Sequence, residues 1–150
     1  IKDDNPYLIE YNVRMGDPEC QVILPRLKTD LTTIVLAALN NNLSKLKIKW
    51  STLKCMTIVL CAKGYPGKYQ QSKPIKNLRG LNLKKNLFIF HAGTKLVNSN
   101  ILSNGGRVLN VTSIGASFKK VISNLFKLLK KINWQSGFFR KDIGWKVIKK

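Results

Sequence analysis

Acidic residues are scarce in this chain of 150 residues. It contains seven Asp and Glu residues against 27 Lys and Arg residues, which gives a formal net charge of +20 at pH 7. A field of this sign attracts nucleic acid, anionic membranes and phosphorylated metabolites, and charge alone does not choose among them. Most of the basic residues are Lys, whereas sites that hold phosphates or bases in a fixed geometry favour Arg. We therefore interpret many of these lysines as exposed surface residues that arose by neutral sequence drift and have no binding role.

Cysteine and histidine are also few. The chain has an odd number of cysteines, and none of them shows Cys-x-x-Cys spacing; they are Cys20, Cys55 and Cys61. The sequence therefore predicts neither a disulfide framework nor a zinc site. Cys55 and Cys61 would share one face of a predicted strand, where buried small hydrophobic residues are common. The single histidine, His91, lies between two apolar residues at the end of a predicted strand. This setting favours a hydrogen-bonded structural role over a general base.

Long apolar runs are absent from the sequence. No stretch approaches the ~20 uninterrupted apolar residues that cross a bilayer, and the start of the chain lacks a basic region followed by an apolar one. We therefore expect a cytoplasmic protein with no membrane partner. The chain starts at Ile1 instead of Met and soon enters an apolar segment at 7–9, which we interpret as a cut through a larger protein.

The first part of the chain carries one strand signal and two helix signals. Residues 7–13 alternate between apolar and polar side chains, which predicts a strand. Asp17 followed by Pro18 is typical of a helix N-terminus, with Asp17 as the N-cap residue, and this helix is predicted to end before Pro25. A second predicted helix covers 31–39 and is capped by one of the two polar residues before it.

The second part of the chain reads as strands followed by a helix. Apolar and β-branched segments predict three strands, at 56–62, 87–91 and 107–112. Residues 117–132 place their apolar side chains on one stripe and their lysines largely opposite, which predicts an amphipathic helix. The helix is expected to pack on the sheet, and a position on a membrane surface is the alternative.

The segment with the clearest chemistry is Glu-x-Asn-x-Arg at 10–14. On a strand, Glu10, Asn12 and Arg14 point to one face because side chains alternate. A carboxylate and an amide oxygen suit a magnesium ion, and a guanidinium suits phosphate, so the row fits a magnesium nucleotide. Without further context, solvated polar residues on an exposed sheet face are the alternative.

Further motifs supply that context. The segment at 10–14 leads into Gly-Asp-Pro-Glu. Four further blocks follow in order, Gly-Tyr-Pro-Gly at 64–67, Phe-His-Ala-Gly-Thr-Lys at 90–95, Asn-Gly-Gly-Arg-Val-Leu at 104–109 and Arg-Lys-Asp-Ile-Gly at 140–144. With these blocks the chain resembles the phosphoribosylamine-glycine ligase (glycinamide ribonucleotide synthetase) family of the ATP-grasp superfamily. These ordered blocks span nearly the whole chain, which makes the resemblance specific.

The resemblance implies an α+β fold in two parts. Residues 1–53 would be the C-terminal end of an ATP-grasp domain, and 54–150 a small, mainly antiparallel C-terminal domain with a packed helix. The implied activity is the ATP-dependent joining of glycine to 5-phosphoribosylamine, which gives glycinamide ribonucleotide, ADP and phosphate in de novo purine biosynthesis. Its cofactor would be Mg²⁺ or Mn²⁺, and its partners ATP, glycine and 5-phosphoribosylamine.

The resemblance also implies roles for the residues of the 10–14 segment. Glu10 and Asn12 would be metal ligands that bridge the metal to the nucleotide phosphates. Arg14 would be the catalytic residue that stabilises charge on the transferred phosphoryl group or binds a substrate phosphate.

Three further residues are candidates for substrate binding. Asp17 would orient its neighbours or the substrate. Lys95 and Arg107 would bind the substrate phosphate, since each lies next to a glycine-containing loop that permits close approach. The alternative is that Arg107 pairs with an acid and that Lys95 is merely exposed.

The sequence departs from the family pattern in two respects. Ser72 and Asn77 stand where glycine is expected, and a positive φ there would suit Asn77 better than Ser72. The family's glycine-rich loop, phosphate-binding lysine, adenine hinge and earlier acidic ligand would all precede Ile1. We therefore expect the chain alone to be inactive and to need that N-terminal ATP-grasp region.

Two other interpretations compete with the ligase. A basic nucleic-acid-binding module would explain the charge, but the three tryptophans are scattered and no recognition motif is present, so nucleic acid is a disfavoured partner. A decayed, non-catalytic fragment of the enzyme is the other, and the intact Glu-x-Asn-x-Arg segment argues against it.

Overall fold

The computed structural model describes residues 1–148; Lys149 and Lys150, the last two residues of the predicted 54–150 domain, lie outside the described residues. The strands are β1 (Lys54–Ala62), β2 (Leu87–His91), β3 (Thr94–Val97), β4 (Asn100–Ser103), β5 (Arg107–Gly115) and β6 (Gly137–Phe138). The helices are α1 (Cys20–Ile23), α2 (Leu31–Leu39), α3 (Phe118–Leu129) and α4 (Trp145–Ile148), with 3₁₀ turns at Leu24–Arg26 and Leu43–Lys45.

A four-stranded sheet in the order β2-β5-β1-β6 forms the centre of the fold, and β3 and β4 form a separate hairpin. All pairings within the sheet are antiparallel. β1 and β5 pair along almost their whole length, from Lys54 opposite Gly115 to Leu60 opposite Leu109, and the register then shifts so that Cys61 lies opposite Arg107. This mixture of helices and antiparallel strands confirms the α+β class.

Helix α3 covers one face of the sheet, as the sequence predicts. Alternate residues of β1 beginning with Met56 are buried, while the residues between them are only half-buried. Val121, Leu125, Leu128 and Leu129 of α3 join these residues in the hydrophobic core. The helix is shorter than the predicted 117–132, since Ser117 is its N-cap and accepts a hydrogen bond from the backbone N–H of residue 120.

The opposite face of the sheet is covered less completely. It carries Cys55 and Cys61, which are half-buried, not fully buried as expected from the sequence. The short α1 helix and Asp17, which precedes it, contact β1 and β5 on this side. Burial raises the pKa of the Cys55 thiol to about 11 and also raises the pKa of Cys61.

Two predictions for the first part of the chain are wrong. Residues 7–13 form no ladder with any described strand and are largely solvent-exposed, because a strand needs a paired neighbour and residues 1–148 offer none here. Helix α1 begins at Cys20 with Glu19 at the N-cap position, so Asp17 does not cap it. The Asp17 carboxylate is instead bound by side chains from other parts of the chain. Helix α2 does follow the prediction, with Asp30 accepting a hydrogen bond from Thr33.

The β3–β4 hairpin was not predicted from the sequence. Its two-residue turn consists of Asn98 and Ser99, both with positive φ, as the tight turns that match strand twist require. Ser72 and Asn77 also have positive φ, at 56° and 63°, so both positions use the conformation that glycine adopts most readily. Among residues 1–148, no helix has the length and apolar character needed to traverse a bilayer.

We expect Leu125→Ala to destabilise the protein by about 2–5 kcal/mol, since it leaves a cavity under the sheet. Urea denaturation measures the loss in the free energy of unfolding. Lys119→Ala, at an exposed position of the same helix, is the control and should change stability by less than about 0.5 kcal/mol. Equal effects of the two substitutions would contradict the placement of α3.

We also expect Cys55 to resist alkylation at pH 8, because a thiol with a pKa of about 11 is almost entirely protonated there and the thiolate is the reactive form. Its rate of reaction with iodoacetamide should reach half of its maximum near pH 11, whereas in urea-unfolded chain the half-maximum should lie near pH 9. Peptide mass spectrometry measures both profiles. Matching profiles in folded and unfolded protein would show that burial does not protect this thiol.

Candidate functional site

Glu10 and Asn12 lie side by side in the exposed segment before α1. The Asn12 Nδ2 group donates a hydrogen bond of 2.9 Å to Glu10 Oε1. Arg14 uses its Nη1 group differently, donating to the carbonyl oxygen of Met15 at 3.1 Å. The structure therefore brings the carboxylate and the amide together and shows no hydrogen bond from Arg14 to either of them.

The pair formed by Glu10 and Asn12 is a partial set of metal ligands. A carboxylate and an amide oxygen are the hard donors that Mg²⁺ and Mn²⁺ favour. The described residues contain no cluster of three or more His, Cys, Asp or Glu side chains able to hold a metal ion. An octahedral ion at this pair would need most of its ligands from water, phosphate oxygens or other protein groups.

Asp17 is the centre of a junction between the first part of the chain and the sheet. Arg107 donates from Nη1 to the Asp17 carbonyl oxygen at 2.9 Å, and its Nη2 lies 3.3 Å from the carboxylate Oδ2. Asn110 and Gln21 each donate a side-chain amide to Asp17 Oδ1, at 3.4 and 3.1 Å. The structure thus shows the pairing of Arg107 with an acid that the sequence left open. A contact between Arg107 and a substrate phosphate stays a prediction.

Two oxygen atoms at this junction have no hydrogen-bond donor among the described residues. These are Gln21 Oε1 and Asn110 Oδ1, both buried, and Asn110 is entirely inaccessible to solvent. Buried acceptors are rarely left unpaired in native proteins. Together with the Asp17 carboxylate they form a group of acceptors suited to hydroxyl, amine or water donors.

Sequence reasoning missed Gln21 and Asn110. Asn110 did carry a signal, because it interrupts an apolar strand segment, Val-Leu-Asn-Val at 108–111, where an amide needs a specific partner. Gln21 carried none, since a glutamine in a short helix is ordinary.

Lys95 lines a basic pocket at the start of the β3–β4 hairpin. The pocket has a volume of about 250 Å³ and is lined by Arg79, His91, Thr94, Lys95 and two apolar residues. His91 Nδ1 lies 2.9 Å from Thr94 Oγ1, a hydrogen bond of the kind its structural interpretation requires. The cationic groups of Arg79 and Lys95 at one small pocket fit an anion of phosphate size.

Comparison with known proteins identifies the family. Residues 55–146 match the family described as "Phosphoribosylglycinamide synthetase, C domain". The chain is 40% identical over 150 residues to phosphoribosylamine-glycine ligase of Brucella melitensis, covering 100% of this chain and 35% of the relative. It is 42% identical over 150 residues to the chloroplastic phosphoribosylamine-glycine ligase of Arabidopsis thaliana, covering 99% of this chain and 28% of the relative.

A solved structure agrees with the sequence matches. The crystal structure of phosphoribosylamine-glycine ligase from Thermotoga maritima matches with a TM-score of 0.68 and 28% identity, covering 93% of this chain and 34% of that one. The chain thus spans about a third of the length of the relatives it matches. Similarity along nearly its whole length does not favour a separate nucleic-acid-binding module or a decayed fragment. The chain belongs to the phosphoribosylglycinamide synthetase family, and residues 55–146 match its C domain.

Proposed function

We propose that this chain supplies the C-terminal part of a phosphoribosylamine-glycine ligase. The enzyme would use ATP to join glycine to 5-phosphoribosylamine, giving glycinamide ribonucleotide, ADP and phosphate in de novo purine biosynthesis, and would work in the cytoplasm. The observation that carries the proposal is the 40% identity along the whole chain to a relative bearing that name.

The proposed reaction has two steps. A carboxylate oxygen of glycine attacks the terminal phosphorus of ATP, which forms an acyl phosphate and releases ADP. The amine of phosphoribosylamine then attacks the acyl carbon, a proton leaves the nitrogen, and phosphate departs with the electrons of the broken C–O bond. Both steps depend on alignment of the reactants and on neutralisation of phosphate charge, which are the contributions a protein makes to such chemistry.

In this proposal Glu10 and Asn12 hold Mg²⁺ or Mn²⁺ beside the nucleotide phosphates. The bound ion would neutralise phosphate charge. The side-by-side placement of the two side chains supports the assignment, because both can offer oxygen to one ion once the amide turns away from the carboxylate. Arg14 would stabilise the transferred phosphoryl group. Its guanidinium has five N–H donors, and only one of them makes a hydrogen bond with residues 1–148.

Substrate binding is proposed for the other three residues. The Asp17 carboxylate, whose side chain is 37% exposed, would receive hydrogen bonds from the hydroxyl and amine groups of phosphoribosylamine. Lys95, with Arg79 and His91 in the same pocket, would bind its phosphate. Arg107 would hold Asp17 in position, and a donor not used on Asp17 would remain for the phosphate.

We further propose that residues 1–53 are the end of an ATP-grasp domain and that 54–150 form the C-terminal domain. No residue in 1–53 is buried, although the segment is rich in large apolar side chains such as Ile9, Val13 and Leu39. Exposed apolar surface on this scale favours contact with another part of the protein. The remainder of the ATP-grasp domain would cover it and complete the nucleotide site.

A fusion of this chain behind the part of the Brucella melitensis relative that it does not cover tests the function. We expect the fusion to release ADP and form glycinamide ribonucleotide only when glycine and phosphoribosylamine are both present. Glu10→Gln should lower its kcat by about 100-fold or more, since a carboxylate ligand is lost near the transferred charge. Coupled ADP assay and product chromatography measure both activities.

Asp4→Asn is the matched control, because it removes an exposed carboxylate from the same segment and should leave kcat unchanged. The 150-residue chain alone should show no turnover above its own Glu10→Ala variant. Turnover by the isolated chain, or full activity of the Glu10→Gln fusion, would refute these assignments.

In the same fusion, Lys95→Gln should raise the KM for phosphoribosylamine about tenfold, because one charge-assisted contact with the phosphate is lost. The KM for ATP should not change. Lys85→Gln, at an exposed lysine that does not line this pocket, is the control. Steady-state kinetics with each substrate varied decide the matter, and an unchanged KM for phosphoribosylamine would remove Lys95 from the site.

A further inference from the structure

The positive charge of the chain is concentrated in its second part. Residues 54–150 contain 20 Lys and Arg residues and one acid, Asp142, whereas 1–53 contain seven basic and six acidic residues. Asp142 is already paired with Arg140, whose Nε lies 3.0 Å from Asp142 Oδ1. The other basic side chains of the second part therefore have no carboxylate of their own domain to neutralise them.

Five of these lysines surround one cavity between α3 and the loop that leads into β2. The cavity has a volume of about 630 Å³. Four leucines and five lysines are among its lining residues; these are Leu81, Leu83, Leu87 and Leu128, and Lys84, Lys120, Lys127, Lys130 and Lys131. The remaining lining residues are asparagines, and no carboxylate lines the cavity.

Helical spacing explains how α3 supplies this wall. Lys120, Asn124 and Lys127 recur at intervals of four and three residues, so they form one row along α3, and Lys131 follows four residues after Lys127, just past the end of the helix. This row is next to the buried row that begins at Val121. A lysine in such a place lays its methylene groups along the apolar surface and keeps its ammonium group at the water.

The five ammonium groups make no ion pair or hydrogen bond with the rest of residues 1–148. Like charges at this density repel one another, and a ligand with several negative charges relieves the repulsion. The volume falls in the range of small-molecule sites, which run to about 300–1,000 Å³. The leucines give the same ligand an apolar surface on which an uncharged body can rest.

We propose that this cavity binds a small organic polyphosphate of the nucleoside polyphosphate class. The phosphates would contact the lysines and the uncharged body would rest on the leucines. Nucleic acid is a poorer fit, because the lining has no Arg for phosphate forks and no aromatic ring for base stacking. None of the lining residues belongs to the proposed ligase site, so this inference does not depend on the proposed function.

Isothermal titration of the 150-residue chain at low ionic strength tests the proposal. ATP, inorganic tripolyphosphate and adenosine are titrated separately in EDTA, which prevents metal-mediated binding at Glu10 and Asn12. We expect ATP to bind more tightly than tripolyphosphate, because only ATP has a body for the leucines, and adenosine to bind negligibly. Higher salt should weaken ATP binding, since screening acts on exposed charges.

A matched pair of triple variants locates the binding. Lys120→Gln/Lys127→Gln/Lys131→Gln should weaken ATP binding about tenfold or more, through the loss of three charge contacts. Lys63→Gln/Lys119→Gln/Lys141→Gln removes the same charge from exposed positions outside the cavity and should change affinity less than about twofold. Glutamine suits a helix, and circular dichroism checks that both variants fold.

Several results would overturn the proposal. Absence of ATP binding would mean that these lysines are ordinary surface residues with no ligand. Equal weakening by the two triple variants would mean diffuse attraction to the whole domain. Equal affinity for ATP and tripolyphosphate would show that the leucines do not contribute to binding. If a single-stranded oligonucleotide displaced ATP and bound more tightly, the ligand would be a nucleic acid and not a small polyphosphate.

Discussion

The antiparallel pairing of β1 with β5 determines where the other elements of the domain lie. Nine-residue strands paired along almost their full length create two faces, and the alternation of side chains gives each face a different character. The strongly apolar face is buried under α3, while the more polar one receives the α1 segment. Asn110 lies within this ladder and Arg107 at its beginning. Asp17 contacts the sheet because both of these side chains donate hydrogen bonds to it.

The sequence predicted those elements whose signals are local. The strands β1, β2 and β5 and the helices α2 and α3 combine periodic apolar residues with clear caps or turns, so their existence and type were correct, whereas the two-residue strand β6 was not predicted. Residues 7–13 show the same alternation but do not form a strand in the structure. Strand formation also needs a neighbouring strand to pair with, and the local sequence does not show whether one is present. The β3–β4 hairpin was not predicted, because each of its strands has only four residues and its turn is Asn98-Ser99 instead of the Asn-Gly pair typical of such turns.

The residues of the candidate site also differ in how far the local sequence could predict their contacts. Glu10 and Asn12 lie together although the strand from which we expected this is not formed, and Arg14 makes its hydrogen bond elsewhere. The contact between Arg107 and Asp17 joins residues 90 positions apart, and only the folded sheet brings them within reach. Gln21 and Asn110 could not be singled out for a similar reason, because their importance arises from what surrounds them after folding.

The register shift between β1 and β5 has a consequence for that contact. Leu109 pairs with Leu60 on the face under α3, and strict alternation would send the side chain two positions earlier, Arg107, to the same face. Because β5 contains one residue more than β1 here, Arg107 lies opposite Cys61 and so shares the face of Asn110. One inserted residue thus exchanges the two faces of the sheet for the side chains at this end of β5. As a result, the Arg107 guanidinium points towards the carboxylate of Asp17 instead of lying buried beneath α3.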